Sequence, residues 1–79
     1  MEEMPSGMEK ISINTEKIQL DQFLKWAGIL ESGGQVRPML DEGLIFVNGV
    51  KETAKRKQLH PGDVVKIINI GEYEVVRED

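Results

Sequence analysis

The chain has no cysteine and one histidine among 79 residues. Without thiols, neither a disulfide framework nor a thiolate metal site can supplement the core. With His60 alone, and no second histidine or cysteine to join it, no metal site is expected. The same scarcity argues against an enzyme, because no spaced carboxylate or nucleophile–base constellation is present either. No catalytic residue and no cofactor is expected. No apolar run approaches the roughly 18 residues that cross a bilayer. The opening MEEMPSGMEK is acidic and lacks the basic-then-apolar layout of a secretory signal, so a cytoplasmic location is expected. Repeats and low-complexity tracts are also missing. A chain of this length makes one domain with one modest core, burying about 60–65% of the surface its unfolded form exposes.

What is present is unevenly distributed charge. The net charge is −4, which taken whole disfavours a polyanionic partner. Residues 1–24 carry two lysines against five acids, and residues 61–79 carry two cations against five acids. Between them, residues 25–60 carry six cations against four acids. The cations concentrate at Lys51, Lys55, Arg56 and Lys57, opposed locally by Glu52. Salt screens distant charges beyond about 8–10 Å, so such a patch attracts phosphates at short range even on an acidic protein. The plainer reading of the same run is a solvated loop.

Residues 1–9 have little apolar periodicity and include Pro5, Ser6 and Gly7, the composition of a mobile leader. Residues 10–79 are expected to form the single domain. Ile11 and Ile13 alternate with polar residues, as in a half-buried strand. Leu20, Phe23, Leu24 and Ala27 recur at helical spacing, and Gly28 is placed to end that helix in the left-handed conformation. Lys25 falls on the polar side of this helix, and Trp26 at the margin of its buried side. There an indole packs at the core boundary or, alternatively, stacks on an unpaired base.

The stretch SGGQVRPMLDEGLIFVNG, from Ser32 to Gly49, predicts a second helix followed by a hairpin. Ser32 and Gln35 have the spacing of a capping box, Val36, Met39 and Leu40 form the inward stripe, and Gly43 is the stop. Pro38 has no donor to return to Gly34, which predicts a tight or kinked first turn. Arg37 lies off the stripe and should be exposed. Ser32, Gly33 and Gly34 permit either ordinary capping or a nest of amides that holds a phosphate. Asn48–Gly49 predicts a two-residue hairpin turn between strands at 44–47 and 50–52, and Lys51, Lys55, Arg56 and Lys57, which follow that turn, are expected to fringe the same surface as the start of the second helix. His60–Pro61–Gly62–Asp63 predicts a type II turn, with strands at 64–70 and 72–76. The expected fold is α+β, two helices packed on a small, mainly antiparallel sheet.

The order LDQFLKWAG, SGGQVRPMLDEG, IFVNG and PGDVV, over residues 18–67, resembles the S4 RNA-binding domain, and most closely its small stand-alone bacterial members. The resemblance implies that the two helices and hairpin form the αL-type motif that grips structured RNA. It implies ribosomal RNA as partner, with transfer RNA the second candidate, possible ribosomal-protein contacts, no membrane, and a role in ribosome assembly or translation. Carried onto this chain, the implied RNA-binding residues are Lys25, Ser32, Gly33, Gly34, Gln35, Arg37, Lys51, Lys55, Arg56 and Lys57. Many members place an arginine directly after the serine, where this chain has Gly33. That shifts reliance to backbone N–H groups, Lys25 and Arg37. The competing reading is a protein–protein interaction module of a cytoplasmic complex, which the acidic flanks support.

Overall fold

A computed structural model describes residues 8–31 and 33–78. Residues 1–7, most of the expected leader, and Ser32 of the expected capping box lie outside the described residues. In chain order the elements are β1 (Met8–Ile13), β2 (Ile18–Gln19), α1 (Leu20–Trp26), a 3₁₀ turn (Gly33–Gln35), α2 (Val36–Asp41), β3 (Ile45–Val47), β4 (Val50–Lys51), β5 (Gln58–Leu59), β6 (Val64–Ile67) and β7 (Gly71–Arg77). The fold is α+β with a mainly antiparallel sheet, as the sequence predicts.

Five strands form the main sheet in the order β1-β7-β6-β3-β4. All neighbours are antiparallel except β1 and β7, which run parallel with Ile11 opposite Val75. Alternation along each strand puts Ile45, Val47, Val65, Ile67, Val75 and Ile13 on one face. Leu20, Phe23 and Leu24 of α1, Val36 and Leu40 of α2, and Leu59 of β5 complete a single core with them. Phe46, Lys66 and Glu72 lie side by side on the other face.

Four features depart from the sequence expectation. β1 takes in Met8 and Glu9, which composition assigns to the leader; they pair with Glu72 and Tyr73, over sixty residues away. The strand expected through Ile70 ends at Ile67, because the chain turns there: Ile70 N–H donates to the Ile67 carbonyl and Asn69 adopts a φ of 68°. A two-stranded ladder, β2 with β5, was not foreseen, since neither dipeptide carries a strand pattern. The second helix is short: Gly33–Gln35 wind as 3₁₀, and α2 proper starts at Val36. Pro38 thereby falls in the first turn of α2, where an N–H would have no intrahelical acceptor.

Both helices end in the same way. Gly28 N–H donates to the Lys25 carbonyl and Ile29 N–H to that of Leu24; Gly43 N–H donates to Leu40 and Leu44 N–H to Met39. These paired return bonds are Schellman caps, which require a left-handed residue, and Gly28 and Gly43 have φ values of 77° and 72°. Alanine at either position is expected to cost about 1–2 kcal/mol, read as a lower urea midpoint. A Cβ at Gly28 meets nothing within 4 Å, whereas one at Gly43 would lie 3.2 Å from Lys51 Cδ. Gly43→Ala therefore also displaces the Lys51 side chain, and Gly28→Ala displaces nothing.

Candidate nucleic-acid interface

The site is built around the first turn of α1. A helix N-terminus leaves its leading N–H groups without intrahelical acceptors, and here Gln19, in the N-cap position, makes no side-chain cap. The acceptors come from the basic segment. Leu20 N–H donates to the Lys57 carbonyl at 2.8 Å, and Asp21 N–H to that of Lys55 at 3.2 Å. Asp21 Oδ1 accepts from Gln22 N–H at 2.9 Å. The backbone of residues 55–57 is thus anchored by carbonyls, and the β2–β5 ladder beside it holds Gln58 and Leu59 in place.

Anchoring through the main chain leaves the side chains free. Arg56 and Lys57 are exposed and Lys55 is half-buried. Among the described residues, the contact within 4 Å between a basic and an acidic side chain is His60 Nδ1 with Asp63 Oδ2, at 3.9 Å, so Lys25, Arg37, Lys51, Lys55, Arg56 and Lys57 have no carboxylate partner there. The neighbouring acids are occupied locally. Glu52 Oε2 accepts from the N–H groups of Thr53 (3.2 Å) and Ala54 (2.9 Å). Asp63 accepts from His60 N–H at 2.8 Å and from Asn48 Nδ2 at 3.1 Å.

That last bond ties the two predicted turns together. Asn48 and Gly49 take φ values of 53° and 83°, and Gly62 takes 101°, as the hairpin and type II turns demand. Asn48 Oδ1 accepts from Val64 N–H, while Asn48 N–H donates to the Val64 carbonyl. Beside this clasp an open depression of about 450 Å3 is lined by Val47, Val50, Lys57, Gln58 and His60, with Asn48, Glu52 and Asp63. Sequence reasoning did not bring Gln58 and His60 to the hairpin, because the link is made through Asp63, which accepts from both His60 N–H and Asn48 Nδ2.

The remaining candidates are distributed along the helices. Gly33–Gln35 pack against α1. Gln35 does return to the chain before it, its Oε1 accepting from Glu31 N–H at 2.8 Å. Arg37 is exposed on α2 and Lys25 on the last turn of α1. Lys51 differs from expectation: its stem rests on Gly43, at the finish of α2 and not at its start. The pairing of Lys51 with Phe46 directs it there, and a cation beside terminal helix carbonyls is favourably placed. No described helix is long and apolar enough to cross a membrane.

Two comparisons bear on this arrangement. The S4 domain family model matches residues 11–76. RlbA of Bacillus subtilis (strain 168), described as a probable ribosome maturation protein, is 42% identical over 66 residues, which make up 84% of this chain and 93% of that protein.

Proposed function

The chain belongs to the S4 domain family, and from that footing we propose that it binds structured RNA as a non-catalytic cytoplasmic protein acting in ribosome maturation. The RNA is ribosomal, with transfer RNA the second candidate. Lys55, Arg56 and Lys57 capture the phosphate backbone, and Lys25, Arg37 and Lys51 extend the contact along both helices in the αL-type manner. Gly33 and Gly34 let a phosphate approach the main chain closely. Contacts of this kind set affinity and orientation without reading sequence.

The observation that carries this reading is the basic segment whose backbone caps α1 while its cations have no carboxylate partner among the described residues. Exposed cations contribute little to stability even when paired, so the fold does not depend on these side chains. The kinship to a probable ribosome maturation protein directs the choice of RNA. Crosslinking in cells, followed by sequencing of the bound RNA, is expected to recover ribosomal RNA. Recovery of a nuclease-resistant protein complex with no RNA would instead favour the interaction-module reading, for which the acidic flanks speak.

A further inference from the structure

Trp26, the chain's single tryptophan, ends α1 with 56% of its surface exposed. Its one polar atom is nonetheless satisfied, for indole Nε1 donates to the Ser12 carbonyl at 2.7 Å. Ser12 belongs to β1, an edge strand of the sheet. The adjacent Ile13 carbonyl accepts from Glu78 N–H, so the alternation along the strand turns the Ser12 carbonyl outward, where the indole meets it. This bond holds the ring against the sheet edge before any ligand arrives, so little rotamer freedom remains to be lost on binding. What remains exposed is the ring's aromatic surface, since its polar edge is engaged.

We propose that this face is a stacking platform for an unpaired nucleobase, so that the protein engages a single-stranded nucleotide beside the RNA its cations hold. The inference rests on the RNA-binding reading above and adds to it a base contact that phosphates cannot supply. Three observations favour a base over a protein surface. Gln22 and Lys25 share the solvent side of α1 with Trp26, giving a polar and cationic surround that suits a nucleotide. Among the described residues, the other large exposed apolar side chains do not extend the patch: Val50 lies on β4, at the opposite edge of the sheet, and Met8 and Ile70 lie toward the far end of β1. Met8 is four residues from Ser12, about 13 Å along the strand. A protein partner of standard interface size covers about 800 Å2 a side, whereas a base needs one ring. Finally, Leu20 to Trp26 spans about 9 Å of helix axis, fewer than three stacked-base steps at about 3.4 Å each, so one short strand can lie along α1 from the basic segment to the indole.

The single tryptophan makes its own emission the readout. The probes are an RNA hairpin with an unpaired loop and a fully paired duplex of the same stem, at low ionic strength, where phosphate contacts alone retain either. The hairpin is expected to quench Trp26 emission at the concentration where anisotropy reports binding, and the duplex to bind without quenching. Trp26→Leu should weaken hairpin binding about 5- to 150-fold and leave duplex binding unchanged, while Trp26→Phe, which keeps a ring but loses the bond that seats it, should fall between the two. Hairpin binding with unchanged emission, and equal affinity in Trp26→Leu, overturns the platform and leaves the phosphate reading intact. Failure of the wild-type chain to bind either RNA overturns both. An emission change produced by ribosomal proteins but not by RNA assigns the ring to a protein partner and overturns the stacking proposal. Because the emission measurement uses the wild-type protein, it decides the matter even if the leucine variant unfolds.

Discussion

Replacing Lys55, Arg56 and Lys57 together by glutamate will release structured RNA while leaving the protein folded. Each lost phosphate contact removes about 0.9 from the slope of log affinity against log salt, so the slope should become shallower by about 2.7. At physiological salt this corresponds to a roughly 100-fold loss from the missing contacts, with repulsion from three new carboxylates added to it. The fold should survive because the segment docks through its carbonyls, which accept from Leu20 and Asp21 N–H, and a side-chain exchange does not remove a carbonyl. Circular dichroism and the thermal midpoint of the triple variant test the second half of that statement; filter binding across a salt series tests the first. Unchanged retention at physiological salt would remove this surface from the proposed mechanism.

Phe23→Ala should produce the opposite signature, a loss of fold that takes binding with it. Phe23 is fully buried, at the centre of the α1 face. Truncating a buried phenylalanine costs about 3–5 kcal/mol. A domain of this length has a total stability of about 4–12 kcal/mol. The variant should therefore be partly or wholly unfolded at 37 °C, visible as lost cooperativity in urea and lost far-ultraviolet dichroism. A phenylalanine truncated without effect on the urea midpoint would mean that α1 does not anchor the core. Comparing the two variants separates the surface that meets RNA from the interior that presents it.

The parts of this fold legible in the sequence are those whose chemistry is local. Gly28, Gly43, Gly49 and Gly62 each occupy a left-handed position that other residues rarely tolerate, so helix ends and turns could be read from single letters. The apolar stripe of α1 was legible for the same reason, since its period reflects one face meeting one core. The missed features are long-range. Met8 and Glu9 become strand through partners near the other end of the chain. Gln58 and Leu59 become strand only because Gln19 and Ile18 lie opposite. At the site, the basic run was legible as charge, but its anchoring on α1 was not, because a carbonyl acceptor leaves no trace in residue type. Lys51 shows the reverse: its charge suggested company with the second helix's start, and the strand register sends it to the other end. Trp26 was placed at the margin of the core; the bond that lets it stand in solvent is made to a backbone atom of Ser12, which any residue could have provided.

The parallel pairing of β1 with β7 joins the first described strand made to the last. During synthesis β1 has no neighbour in the sheet until residues 71–77 have emerged, so its pairing must wait for them. Contacts of such high sequence separation slow the search for the native state, and until they form, β1 has an unprotected hydrogen-bonding edge and an uncovered apolar side, the condition in which nascent chains aggregate. A frameshift or stop codon that removes β7 therefore costs the cell more than one strand: it leaves β1 without a seat and exposes the whole product to proteolysis.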